Sequence, residues 1–382
     1  MPSLSHVDLE IIPVQSKKDY KDFVDLPYRL YRKDPHWIPP LKMERSEVIS
    51  PKHNPFYEHA LVQLFLAKRN GKVVGRISAQ IDFEYEKFYK KRLGQFGFFE
   101  CENDSQISQA LFQAAEKFLL ENGATSIQGP FNFSINEEIG LLVEGFQEAL
   151  MTLMPYNPPY YAELYAQSGY KKVKDLYAWK YLVGEIPKDA LEVSEQLKNY
   201  PGLQIRTINM QDLDNELKKI IEILNSAWSE NWGFVPFTPK EIQKMAKDFK
   251  LFVNPKGVFI AELEGNPIAM CVSMPNLYEM IRDLKGKLFP FGIFKLLWRI
   301  KKTRYESGRL ILLGVKKEFR NTVLGGLSIM LYTEIHKRAL EVKMKWGELS
   351  WTLEDNKSVN AGIEFMGGKK YKTYRIFEKT MP

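Results

Sequence analysis

One stretch of the chain carries residue types and spacing suited to anion capture. In Val315-Lys316-Lys317-Glu318-Phe319-Arg320-Asn321-Thr322-Val323-Leu324-Gly325-Gly326-Leu327, an apolar strand over residues 310–315 enters a loop with two glycines and then a predicted helix. Free amides at a helix N-terminus and the helix dipole stabilise negative charge, and small residues let an anion reach the backbone. Lys316, Lys317 and Arg320 add positive charge there. The competing reading is that Gly325-Gly326 only lets a turn enter a helix. Other constellations are weak. His336 lies among charged neighbours and reads as exposed, while His53 and His59 flank a loop with no metal-ligand spacing. No Gly-x-Ser-x-Gly elbow supports a serine nucleophile. Cys101 and Cys271 stand far apart and read as buried small apolar residues, so neither a zinc site nor a disulfide framework is expected.

The elements that must position this loop occur twice. In the first half, residues 61–68 and 73–83 read as a hairpin around Asn70-Gly71, followed by a strand over 95–101 and a helix over 106–121 capped by Asp104 or Ser105. A strand near Ser126, a helix over 160–167 and a strand over 173–183 follow. The second half repeats the order: a hairpin over 258–262 and 268–274, a strand over 310–315, a helix from Leu327, a strand over 349–353, a helix over 357–365 and a strand over 371–378. Gly169-Tyr170-Lys171-Lys172-Val173-Lys174 matches Gly367-Gly368-Lys369-Lys370-Tyr371-Lys372, and such self-similarity points to duplication. The sequence therefore predicts two α/β (α+β) domains, residues 1–190 and 200–382. Each should be a mixed, mostly antiparallel sheet flanked by helices, joined across the Pro-, Lys- and Glu-rich stretch at 187–201.

This element order resembles the GNAT (N-acetyltransferase) superfamily, in tandem over nearly the whole chain. In that family an Arg/Gln-x-x-Gly-x-Gly/Ala loop holds the CoA pyrophosphate. Arg320 and Gly325 fall at its spacing, and Val323 stands at the first Gly. The resemblance implies acetyl-CoA or another acyl-CoA as cosubstrate, bound by Leu313, Gly314, Val315, Arg320, Asn321, Gly325, Gly326 and Leu327. Asn356 and Gly367 keep the separation of a second family signature, which adds Asn356 to this set, but Ile363 replaces the Tyr that commonly protonates the departing thiolate. Tyr371 or Tyr374 is the substitute acid, against the reading of a packed strand tyrosine. Glu354, with Asp355 behind it, is the base for the acceptor amine, against the reading that Glu354-Asp355-Asn356 only caps a helix. The first half keeps Tyr165 ahead of Gly169-Tyr170. At the phosphate-loop position it carries Glu100, Glu102 and Asp104, which repel a pyrophosphate, so it reads as a degenerate copy. Paired domains of this kind also resemble the Fem-type peptidyl transferases.

The function implied is acyl-CoA-dependent N-acyl transfer, of acetyl in the family's usual form, to a small-molecule or peptide amine. The alternative is a catalytically silent relative that binds a ligand or partner. A net charge of +7 suits anionic partners without selecting one. No reader motif points to nucleic acid, and none is expected. No apolar run reaches membrane-span length and residues 1–10 lack a signal-peptide pattern, so a cytoplasmic protein without stable membrane insertion is expected. Between two strands of the second domain, residues 276–309 carry Phe289, Phe291 and Trp298, then Arg299, Lys301, Lys302 and Arg304. This insertion reads as a flap docked on its own protein, with a membrane contact as the alternative.

Overall fold

The computed structural model describes residues 9–252, 254–302 and 305–381, with side chains at 9–247, 254–302 and 305–381. By its contacts the chain forms two compact units. The first holds the described residues up to Asp175, Leu284–Phe289 and those from Tyr374 onward; the second holds Leu176–Asp283 and Pro290–Thr373.

In chain order the first stretch comprises β1 (Leu9–Pro13), α1 (Lys17–Leu30), α2 (Lys42–Val48), β2 (Ala60–Arg69), β3 (Lys72–Asp82), α3 (Phe83–Tyr89), β4 (Gly94–Cys101) and α4 (Ser105–Glu121). Short strands β5 (Ser126–Gly129), β6 (Phe131–Asn132), β7 (Glu138–Ile139) and β8 (Leu141–Glu144) follow, then α5 (Tyr161–Gln167) and β9 (Lys171–Leu182). The second stretch comprises α6 (Lys188–Lys198), β10 (Leu203–Thr207), α7 (Leu213–Trp228), α8 (Pro239–Phe252), β11 (Val258–Leu263), β12 (Asn266–Pro275), α9 (Leu277–Ile281) and α10 (Gly292–Lys301). It ends with β13 (Ser307–Val315), α11 (Lys317–Arg320), α12 (Leu327–Glu341), β14 (Trp346–Leu353), α13 (Lys357–Phe365) and β15 (Lys369–Thr380).

The two units share one strand plan. In the first, β1 to β4 pair antiparallel in sequence order, β4 pairs parallel with β5, and β5 pairs antiparallel with the end of β15, Phe377 opposite Gly129. In the second, β10 to β13 pair antiparallel, β13 pairs parallel with β14, and β14 pairs antiparallel with the end of β9, Trp346 opposite Leu182. The last strand of each unit is therefore contributed by the other half of the sequence. Both hairpins turn through left-handed residues, Asn70-Gly71 (φ 50 and 75) and Glu264-Gly265 (φ 51 and 81), a conformation the glycine adopts without steric cost. Asp104 caps α4, accepting from the Gln106 amide at 2.8 Å.

Cores form on both faces of each sheet. In the first unit α4 and α5 bury Leu111, Phe112, Tyr161 and Tyr165 on one face, and α1 buries Phe23 and Leu26 on the other. In the second, α12 buries Leu327 and Leu331 on one face and α7 buries Leu217, Ile220 and Leu224 on the other.

A parallel pair inside an otherwise antiparallel sheet parts easily, and in both units it does. In the first unit β4 and β5 pair only where Gly94 faces Ile127 and Gln95 faces Gln128, and the fork beyond is filled by the unit's own chain. The Phe98 amide donates to Asn132 Oδ1 at 2.7 Å, and Gln80 Nε2 donates to the carbonyls of Phe131 (2.9 Å) and Phe133 (3.0 Å). Gly97 admits this plug, since a Cβ there would stand 1.8 Å from the Phe131 carbonyl oxygen.

Candidate functional site

In the second unit β13 and β14 pair over four residues only, Ser307 with Trp346 through Leu310 with Leu349. Past that point β13 runs on to Val315 without a β14 partner, so alternate amides and carbonyls of residues 311–315 face the fork. The sequence-predicted Leu313, Gly314 and Val315 line this edge. Gly314 lets α7 pack closely, because a Cβ would meet the Ala227 Cβ at 3.1 Å.

At the mouth of the fork β13 leads through α11 into α12. Gly326 is the N-cap of α12 and Leu327 its first residue, fully buried. Gly325 is exposed, and its amide donates to the Thr322 carbonyl at 2.9 Å. Gly326 is small because α6 lies against it: a Cβ would stand 2.7 Å from Val193 Cγ1. Val323 is 76% exposed and lies outside the left-handed region, so its side chain leaves the loop interior and its backbone does not require glycine. Asn321 ends α11 and is exposed. The basic residues are less available than the sequence suggests. Arg320 donates from Nε to the Val315 carbonyl at 3.0 Å and from its guanidinium to the Ala227 carbonyl at 2.6 Å, so it ties the loop to β13 and α7. Lys316 pairs with Glu222, and Lys317 with Glu230 at 2.7 Å. An anion here would be held by amides more than by these side chains.

At the closed end of the fork lies a polar cluster that sequence reasoning missed. Glu348, fully buried opposite Arg309 in the β13–β14 register, accepts from the hydroxyls of Ser350 and Tyr371 and lies 3.8 Å from Lys372 Nζ and 3.9 Å from Arg309 Nε. Arg309 also donates to Ser350 Oγ at 2.9 Å. The available signal was Glu348 and Ser350 at alternate positions of a strand, which reads equally as an exposed strand face. Tyr371 thus reaches the fork. Glu354 does not share its place, since it stands in the turn beyond the end of β14. Asn356 caps α13, accepting from the Val359 amide at 3.3 Å. Ile363 is a packing residue among Trp179, Tyr332 and Leu349, and Tyr374 is 1% exposed.

Gly347 and Leu349, on the other face of β14, line an apolar cavity with Gly308, Leu310, Tyr332 and Ala339. The cavity opens to solvent, and the surface it presents is almost wholly apolar. Leu310 and Leu349, the last paired residues of the fork, are among its walls, so cavity and fork adjoin. His336 also lines it, and here the structure corrects the sequence reading: the imidazole is 1% exposed. Its Nε2 donates to the Gly184 carbonyl at 2.9 Å, which leaves Nδ1 to accept from the Tyr181 hydroxyl at 2.6 Å. Burial holds its pKa below the ordinary value. The unfolded chain takes up this proton near about pH 6.5, so the neutral imidazole stabilises the fold above that pH and the contribution is lost as pH falls below it. The melting temperature should drop between about pH 7 and pH 5 more steeply in the parent than in His336→Gln.

The matching position of the first unit is closed to an anion for a different reason than charge repulsion alone. Glu100 is buried against Arg76 (3.4 Å) and accepts from Tyr31 and Tyr161; Asp104 pairs with Arg69 at 2.7 Å, and Glu102 with Lys72 at 3.5 Å. Burial pushes the Glu100 carboxyl up while Arg76 pulls it down. Basic residues therefore offset these carboxylates, and charge repulsion is not the whole reason. Tyr165 is 1% exposed among Phe96, Phe99 and Phe112.

The insertion also departs from expectation. Phe289 (65%), Phe291 (79%) and Trp298 (47%) are exposed rather than packed inward; Arg304 lies outside the described residues. Among the described residues no helix is long and apolar enough to cross a membrane.

No family model matches the chain. It is 44% identical over 384 residues to the bacterial ceramide synthase of Caulobacter vibrioides (strain NA1000 / CB15N), covering 99% of each chain. It is 40% identical over 370 residues to protein YghO of Escherichia coli (strain K12), covering 95% of this chain and 93% of that one. Among solved structures, a tandem GNAT protein from the clavulanic acid biosynthesis pathway superposes with a TM-score of 0.59 at 12% identity, over 98% of this chain and 99% of that one.

Proposed function

The chain is a tandem GNAT-like protein of the family that includes the Caulobacter ceramide synthase and the Escherichia coli YghO protein, and from that premise we propose that it transfers a long acyl group from an acyl-CoA to a lipid amine. Acyl transfer is the chemistry to which the relatives point. A ceramide is a fatty amide of a long-chain amino alcohol, so the longer acyl group and the amine acceptor are the finer parts of this reading. The observation that carries it is the apolar lining of the cavity adjoining the fork of β13 and β14, a surface that suits a hydrocarbon chain better than the small acetyl group.

On this reading residues 200–382 carry the site, and residues 1–190 are a degenerate copy whose fork is plugged. The residues at the second fork fit an acyl-CoA. The edge of β13 at Leu313, Gly314 and Val315 would hold its extended arm. The amides of Gly326, Ser328 and Ile329 at the start of α12 would hold the pyrophosphate, Gly325 and Leu327 shaping the turn through their own backbone bonds, with Asn321 and Asn356 on the loops at the mouth and Arg320 keeping the loop closed. The thioester supplies an activated acyl carbon: a carbon–nitrogen bond forms to the amine, the carbon–sulfur bond breaks, and the sulfur leaves as thiolate. Two proton-handling groups serve that step. Tyr371, oriented by Glu348 at the closed end, supplies a proton toward the leaving sulfur, whereas Glu354 stands apart at the mouth, where an amine would enter and could lose its proton before it reaches the thioester. Arg309 and Lys372 keep this end positive, which favours charge developing on the acyl oxygen.

The test is a chain-length series. Purified protein with a long-chain amino alcohol and acyl-CoAs from acetyl to palmitoyl should form amide product, read by mass spectrometry, with kcat/KM rising by about 100-fold or more toward the long chains. Turnover of acetyl-CoA alone would overturn the acyl-length reading. No amide with any donor would return the chain to the catalytically silent alternative.

A further inference from the structure

The insertion between β12 and β13 presents an apolar face that the fold leaves largely uncovered. On α10 and its N-cap, Phe291, Phe294 and Trp298 recur at helical spacing and are 79%, 70% and 47% exposed, with Leu297 beside them at 47%. The opposite side of the same helix is seated, because Leu296 is 3% exposed. The seat is fixed by charge: Asp283 takes Arg299 at 2.6 Å and Lys295 on successive turns of α10, and these partners hold its carboxyl well below the usual range. Lys295 and Arg299 are thus spent on holding the helix in place. Lys301 and Lys302, at its C-terminal end, are exposed and meet no carboxylate among the described residues. A fixed helix with three aromatic rings and a leucine turned outward, bordered by free lysines, differs from a flexible loop that happens to carry apolar residues.

We propose that this face of α10 lies in the interfacial layer of an anionic lipid bilayer, with Phe291, Phe294, Leu297 and Trp298 among the acyl chains and Lys301 and Lys302 at the headgroups. Two features select lipid over a protein partner. The Trp298 indole, an apolar ring with one N–H, suits the boundary between headgroups and hydrocarbon, and Phe291, Phe294 and Leu297 form the apolar face that an interfacial helix buries. The flanking charge is of one sign, complementary to anionic headgroups, and acts over a Debye length of the surface. The helix is far too short to span a bilayer, so binding is peripheral and salt-sensitive. The inference rests on this surface alone, and a protein that fails to transfer any acyl group would still show it.

The experiment is sedimentation of the full-length protein with vesicles. The parent should pellet with phosphatidylglycerol vesicles, far less with phosphatidylcholine vesicles, and less as salt rises. Phe291→Ser/Phe294→Ser/Trp298→Ser, shown to be folded by circular dichroism, should lose binding by about tenfold or more, and Lys301→Glu/Lys302→Glu should lose the preference for phosphatidylglycerol. A parent that stays in the supernatant with both vesicle types overturns the proposal, as does a triple variant that pellets like the parent. A parent that is dimeric by light scattering and a triple variant that is monomeric would assign the face to a second copy of the chain and overturn it equally.

Discussion

Glu348→Leu should be the most damaging single change in the second unit, lowering stability by about 3–5 kcal/mol, because it removes a buried carboxylate placed between two buried cations. Arg309 and Lys372 are 4% and 2% exposed, so charge left there is poorly hydrated. Urea unfolding at neutral pH, followed by circular dichroism, measures the loss. Adding Arg309→Met and Lys372→Met to Glu348→Leu should recover much of it, since an apolar cluster of similar volume carries no unpaired charge. Tyr371→Phe removes one donor from a carboxylate that keeps others and should cost only about 1 kcal/mol. A Glu348→Leu protein that unfolds at the parent's urea concentration would mean that water already reaches the cluster.

Filling the cavity should change which acyl group is used. Ala339 faces it from α12 and is 7% exposed, so Ala339→Trp places an indole where a long chain would lie. Transfer from palmitoyl-CoA should fall about 100-fold in kcat/KM while transfer from the shortest acyl-CoAs that the parent accepts changes little. Steady-state kinetics on both donors, with a melting curve to show that the variant folds, checks the outcome. Equal losses on long and short donors would detach the cavity from the acyl group.

Much of the architecture was written in the sequence because local signals agree with one another. Asn70-Gly71 and Glu264-Gly265 mark hairpin turns, Asp104 marks a helix start, and apolar residues recur at the period of the element they occupy. Gly325-Gly326 announced the loop into α12, although packing of α6 against Gly326 is a long-range reason that no local pattern contains. The rest was invisible for the same kind of cause. Glu348 comes between Gly347 and Leu349 and looks like an outward residue of an alternating strand. Only Arg309 and Lys372, contributed by two other strands, reveal that its face is buried. His336 is flanked by Ile335 and Lys337 in sequence, and its burial depends on Tyr181 and Gly184 far upstream. The plug at Gly97 is of this class too, since nothing near Gly97 in sequence names Phe131 as its neighbour. The aromatic insertion failed in the opposite direction: composition predicted burial, and the fold leaves much of those rings outside.

The exchanged last strands bear on how the chain is made. The edge of β5 waits for Phe377, Glu378, Lys379 and Thr380, which are translated long after it. At roughly 5–20 residues per second, that edge stays open for on the order of ten seconds or more after β5 itself emerges. The N-terminal half therefore cannot finish folding during its own synthesis, and an unpaired strand edge held open that long invites wrong partners. Until β15 is translated the edge of β5 has no native partner, and loss of residues 369–380 would cripple the unit that was translated first.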